Sequence, residues 1–432
     1  MAFTSQRGLR RFAAIPAVAS LLLAAACSSE EATATPGVTS APCPGSAHTD
    51  RGCIYLGVLS DLENGPFSAL GTSMHEGQLA FWNRVNEEGG IGGYDVDITS
   101  YTRNTSQDPR LHRTEYEAIE PHVLALAMSF GTSQTIATLN RMDTDDMVAT
   151  AATQWSGWNY PSVDHNLVLS AGYSYCTEAV TGLDWFAEHH YAPRDIAVVA
   201  NRGNYGSDYA AGASKWAAAN EATIVARIDT GPNREVGNQD GPVREILAAA
   251  PELVLLATGP AETAEIVGKL VGSGFTGRFL GSVPTWNAAL LKTPAAPALT
   301  ELYNYMTPVD GWTGGSIGAK HAREATTGEP ANFGYSLGWA ISYPLKALLT
   351  AAAENGDLTR PGLRRGAENL APDGEGMVAI HPAGADAPDL SREWSAVFEP
   401  DAQAPMGARA VEIGYRGATL GKLGLHEPCT RL

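Results

Sequence analysis

The chain has 432 residues, 44% of them hydrophobic and 18% charged, with 29 Lys and Arg against 47 Asp and Glu. That length suits two or three ordinary domains of about 100 to 200 residues each, and an aromatic content of 8% with recurrent apolar stretches excludes disorder over most of it. A formal charge of -18 argues against a nucleic-acid partner or an anionic membrane surface, because both need clustered Lys and Arg.

Arg7, Arg10 and Arg11 precede an uncharged run from Phe12 to Ala26 that ends at Cys27-Ser28-Ser29-Glu30. A basic start and an apolar core shorter than the about 20 helical residues of a bilayer span read as an export signal over residues 1–26. Ala24, Ala25 and Ala26 before Cys27 resemble the lipobox of bacterial lipoproteins, in which the cysteine is lipidated and becomes the first mature residue. Ala24 stands where that pattern prefers Leu, and an ordinary cleaved secretory signal is the alternative. The resemblance implies that lipid on Cys27 holds the protein to the outer face of the cell membrane. It would be the only anchor, since no other segment approaches 18 uninterrupted apolar residues. Residues 27–50, rich in Ser, Thr, Ala, Pro and Glu without apolar periodicity, are expected to form a flexible spacer.

Cys43, Cys53, Cys176 and Cys429 remain, an even number in an exported chain where disulfides persist. Pairing Cys43 with Cys53 would clasp the chain before the first strand, and pairing Cys176 with Cys429 would fasten the tail to the body. The other two pairings stay open. A zinc site is disfavoured by irregular spacing and the lack of any Cys-x-x-Cys pair; neither a metal nor a cofactor is expected.

Ile54 to Leu59 reads as a first strand, followed by the helix-opening Gly65-Pro66 and a helix from about Phe67 to Glu88 that stops at the glycines of 89–93. Strand Tyr94 to Tyr101, helix Arg110 to Ile119, strand Val123 to Ser129, helix Thr135 to Met142 and strand Met147 to Ala151 follow. After Gly172 the alternation begins again. Helix Thr177 to His189 leads to strands at 196–200, 223–228, 253–258 and 278–281, separated by helices at 207–220, 243–250 and 261–273. A helical stretch from Ala319 to Asn355 brings no strand of its own. Repeated strand and helix predicts two parallel-sheet α/β lobes with a cleft at the strands' carboxyl ends. The expected division is lobe 1 over 51–171 and 307–374, and lobe 2 over 172–306 and 375–432, hinged near 169–174, 303–308 and a third crossing after Gly374.

Three features now carry a resemblance: Leu56-Gly57-Val58-Leu59-Ser60-Asp61 with Gly65-Pro66-Phe67, Val85-Asn86-Glu87-Glu88-Gly89-Gly90-Ile91-Gly92-Gly93, and Gln107-Asp108-Pro109. Over roughly Cys53 to Asn355 the sequence resembles the type I periplasmic solute-binding proteins, above all the branched-chain amino-acid class that serves ABC importers. The resemblance implies a two-lobed Venus-flytrap fold. It also implies a monomer that closes around a small organic solute, amino-acid-like, an amide or an aromatic carboxylate, and presents it to a permease.

In that family the loop Gly131-Thr132-Ser133-Gln134-Thr135 and the turn Ala151-Ala152-Thr153 would receive the ligand's carboxylate. The resemblance therefore implies Thr132, Ser133, Ala151 and Thr153 as contacts, with Tyr205 of Asn204-Tyr205-Gly206 lining the cleft from lobe 2. Capping by these hydroxyls is the competing reading. Trp155 and Trp286 are the aromatic candidates for stacking on a flat ligand, from a group that includes Trp158, Tyr160, Tyr173 and Tyr175. The second lobe departs from the family, placing Gly259 and Val283 where amino-acid binders hold a tyrosine and an acid for the ammonium group. A buried ammonium without a partner is costly, so a plain branched-chain amino acid is not expected. Glu262 could serve instead, although a solvated position on its helix is the simpler reading.

No catalytic activity is expected from the motifs present. The chain lacks a Walker loop and a His-Glu-x-x-His motif, and Gly314-Gly315-Ser316-Ile317-Gly318 follows a loop rather than the strand a nucleophile elbow requires. A sensor of the same fold and an extracytoplasmic enzyme remain the alternatives.

Overall fold

A computed structural model describes residues 35–381 and 388–431. The export signal, Cys27 and residues 28–34 lie outside them.

The first sheet is built around β2 (Gly52–Ser60), with β1 (Val38–Thr39) antiparallel to its start. Parallel to β2 run β3 (Tyr94–Asn104) on one side and β4 (Ala125–Phe130) on the other, extended by β5 (Ala149–Ala152) and β6 (Val168–Leu169). The second sheet runs in the order β13 (Ala408–Tyr415), β12 (Ser395–Pro400), β11 (Tyr303–Thr307), β10 (Arg278–Gly281), β9 (Leu253–Ala257), β7 (Asp195–Asn201), β8 (Thr223–Thr230). Its parallel part comprises β7, β8, β9, β10 and β11. Every residue of β4 and β9 is buried, as expected of parallel strands covered by helices on both faces.

Three segments cross side by side between the sheets. Gly172 N donates to Ala379 O at 2.7 Å, Asp310 N donates to Met377 O at 3.1 Å, and Val309 bridges Val378.

The helices Ser68–Glu87 and Gly334–Glu354 pack together on lobe 1 at the closest approach a backbone allows. A Cβ on Gly77 would stand 2.1 Å from Tyr335 O, and one on Gly338 would stand 1.9 Å from Met74 O. Only glycine fits at either place, and this contact sets the position of Leu70, Met74 and Leu337 beside the cleft.

Two departures from expectation stand out. Residues 35–50 are not a free spacer: Gly37 accepts from Tyr55 N at 2.8 Å, Val38 and Thr39 pair with β2, and Cys43 is buried in a disulfide with Cys53. Their polar composition hides a main-chain role, because strand pairing needs no apolar side chain. At the other end, β12 (Ser395–Pro400) and β13 (Ala408–Tyr415) add an antiparallel ribbon to the free edge of β11. The tail then returns to the hinge side, where Cys429 is bonded to Cys176. Buried Asp208 holds it there, accepting from Ser156 N, Ser156 Oγ, Cys176 N and Thr430 Oγ1.

Candidate functional site

A cleft of about 190 Å³ lies between the lobes. Its lobe 1 floor is apolar: Phe67, Leu70, Met74, Phe130 and Leu337, with the Phe67 and Phe130 rings edge-on at 6.5 Å. From lobe 2, Val283, Pro284 and Tyr205 face this floor, and the Tyr205 ring rests 4.6 Å from that of Tyr175.

Two helix N-termini meet across the opening, Thr132–Thr144 from lobe 1 and Asn204–Ala219 from lobe 2. Each follows a glycine with positive φ, Gly131 at 104° and Gly203 at 103°, a turn that aims the first amides of the helix away from its own sheet. Ser133 Oγ donates to Asn204 Oδ1 at 3.4 Å, so the two ends touch. Free amides and the aligned peptide dipoles make each end attractive to an anion. Arg202 and Arg234 add two cations to the lining, against one carboxylate, Glu235, whose Oε1 lies 3.9 Å from Arg234 Nε. Arg234 also spans the cleft mouth, donating to Asn64 O at 3.1 Å and Ser106 O at 3.4 Å in lobe 1.

Of the residues singled out in the sequence as contacts or stacking aromatics, Thr132, Ser133, Tyr175 and Tyr205 line this cleft. Thr153 lies one layer behind, its hydroxyl bonded to that of Thr132 and 3.5 Å from Tyr175 OH. Ala151 faces away, into an apolar cluster with Leu139 and Trp155, and it is Ala152 that reaches the cleft; strand alternation turns successive residues to opposite faces. Trp155 is 1% exposed, edge-on to Trp158, and donates from Nε1 to Thr430 Oγ1 at 2.9 Å, which makes it an anchor for the tail rather than a stacking platform. Trp286 is likewise buried, in a stack with Tyr303 and Tyr305. Glu262 is not a solvated helix residue: it is 4% exposed and accepts from Asn233 N at 2.7 Å. Ser316 caps the helix Ile317–Glu324, accepting from Ala319 N at 3.0 Å.

Sequence reasoning missed Gln107, Gln154, Asn201, Arg202 and Arg234, all in the lining. Asn201 ends β7 and Arg202 follows it, where the rule that ligands sit beyond the carboxyl ends of parallel strands could have found them.

One acidic group lies just behind the wall. Glu178, fully buried, accepts at Oε1 from Val283 N at 2.6 Å and Tyr173 OH at 3.3 Å, and at Oε2 from Ser282 Oγ at 2.7 Å. Desolvation pushes its carboxyl up to about 8, with these bonds pulling the other way. Its oxygens are spent on holding the Val283 wall to the hinge segment. Among the described residues no group of His, Cys, Asp and Glu is arranged to hold a metal, and no helix is long and apolar enough to cross a membrane.

The sequence profile of a family described as periplasmic binding protein matches residues 54–390. The chain belongs to that family. Its type I fold recurs in solved structures: a fatty acid ABC transporter substrate-binding protein from Thermomonospora curvata aligns with a TM-score of 0.78 at 23% identity, covering 92% of this chain and 100% of that one. A branched-chain amino acid ABC transporter protein from Thermus thermophilus with bound valine gives 0.71 at 16%, covering 87% and 99%. A leucine binding protein from Thermotoga maritima gives 0.67 at 14%, covering 83% and 98%. No curated protein sequence matches the chain. Identities of this size establish the family fold and leave the ligand to be argued from the cleft.

Proposed function

We propose that this periplasmic binding protein captures a small carboxylate with an apolar tail and delivers it to an ABC importer by closing its lobes, while lipid on Cys27 keeps it at the outer face of the membrane. The observation that carries the reading is the charge pattern of the cleft. Two helix N-termini and two arginines face a lining with one carboxylate, in a chain whose net charge is -18. A site this electropositive inside so acidic a protein favours an anion. The floor of Phe67, Leu70, Met74, Phe130 and Leu337 suits an apolar tail. An ammonium group has no natural place: Glu178 is committed behind the wall and Glu235 is already beside Arg234. This narrows the amino-acid-like, amide or aromatic class of solutes to carboxylates without an amine, and the relative named for fatty acids is consistent with it.

A thermal-shift and calorimetry panel of octanoate, phenylacetate, octanamide and leucine tests the ligand class. Octanoate or phenylacetate should raise the unfolding midpoint, and stabilisation by leucine alone would sink the proposal. The anchor is tested separately: Cys27→Ala protein should leave the membrane fraction, and its retention there would rule out lipid on Cys27.

A further inference from the structure

Three polar side chains in the cleft lining are unspent: the carboxamides of Gln107 in lobe 1 and Asn201 in lobe 2, and the Tyr205 hydroxyl, also in lobe 2. Gln107 sits in the turn after β3 at φ 59°, its carbonyl oxygen accepting from Gln134 Nε2 at 2.6 Å. Its side chain lies against the ligand loop, where a Cβ on Gly131 would come within 2.7 Å of Gln107 Oε1. Gln107 Nε2 is buried and has no hydrogen-bond partner among the described residues. Asn201, 7% exposed, ends β7, and its backbone is fixed by pairing with Thr230 and by the closely packed Gly206. Its Oδ1 is also buried and without a partner. Folded proteins leave few such atoms, because removing a polar group from water without a replacement bond is unfavourable. Here the two carboxamides stand in the lining of the same cleft, from opposite lobes.

We infer that Gln107 and Asn201 are the polar grip of the site, hydrogen-bonding the two ends of one planar carboxyl-type head group. Gln107 Nε2 donates to one oxygen from lobe 1. The Asn201 carboxamide meets the other from lobe 2, its amide turned so that Nδ2 donates when that oxygen is ionised. Since the two side chains belong to different lobes, both bonds form only with the lobes together, and the head group itself becomes the link that favours closure. The inference rests on the carboxylate reading above for its choice of head group. Its stability arm does not.

The test uses the near-isosteric variants Gln107→Met and Asn201→Leu in the full-length protein, with octanoate as the probe. Each should weaken octanoate binding at least tenfold by calorimetry, while the ligand-free unfolding midpoint stays level or rises because an unpaired buried group is gone. The double variant should lose less than the two single losses combined, as expected for groups that hold one ligand head. Octanoate affinity within threefold of the wild type would overturn the inference. A clear fall in the ligand-free midpoint would overturn it too, since that would mean the groups serve the fold. A wild-type protein that ignores octanoate would refute the carboxylate reading, and the ligand-free midpoints would then decide on Gln107 and Asn201 alone.

Discussion

At the scale of single residues, Glu178 is a buried carboxyl whose protonation couples directly to folding. Its carboxyl is held up to about 8 by burial, against an ordinary value of 4.5. The folded chain therefore keeps a proton that the unfolded chain releases, so Glu178 makes stability fall as pH rises through the window from about 4.5 to about 8. For one proton the slope is about 1.4 kcal/mol per pH unit. Glu178→Gln keeps an oxygen for Val283 N and offers an amide to Ser282, with nothing to ionise. Its urea midpoint should match the wild type near pH 4 and exceed it near pH 8; parallel curves across that range would show that Glu178 does not titrate in the window. Asp164, raised to about 7 by desolvation, and Asp208, raised to about 6 while four donors oppose the shift, contribute with the same sign.

Elements were legible wherever main-chain order follows side-chain pattern. The apolar runs that became β2, β4, β7 and β9 could be placed to within a few residues because each is buried on both faces and flanked by amphipathic helices. What escaped was structure made by backbone alone. Val38 and Thr39 join the sheet through two residues in a Ser, Thr and Pro-rich stretch, and β13 leaves Val411 and Ile413 on its exposed face, so neither displays the apolar alternation of a buried strand. The site divides in the same way. Its helix-terminal hydroxyls, Thr132 and Ser133, could be carried from the family motif because they ride on a turn that the fold dictates. Trp155 and Trp286 misled because an aromatic near a cleft in sequence can face either side of its segment, and both turned inward to packing partners. Gln107, Asn201 and Arg234 come from a turn, a strand end and a short helix far apart in sequence, and only the folded chain brings them to one cleft.

At the scale of the whole molecule the lobes are joined at the rear by three crossing segments and at the front by Arg234. Its bonds to Asn64 O and Ser106 O exist only while the lobes are together. They are solvent-accessible, so their combined worth is about 1 kcal/mol, roughly a fivefold bias toward closure. Arg234→Ala should enlarge the ligand-free radius of gyration in X-ray scattering and weaken ligand binding about fivefold, chiefly through faster release. An unchanged radius would remove Arg234 from the closing mechanism. The docking of residues 35–50 on lobe 1 has its own consequence for where the protein works. If Cys27 carries lipid, residues 28–36 lie between the anchor and Gly37, the first position bonded to lobe 1. Fully extended that stretch reaches roughly 35 Å, where a spacer running to residue 50 would have allowed roughly 80 Å. The receptor would then patrol a thin layer over the bilayer, and its encounter with a permease becomes a two-dimensional search at high local concentration.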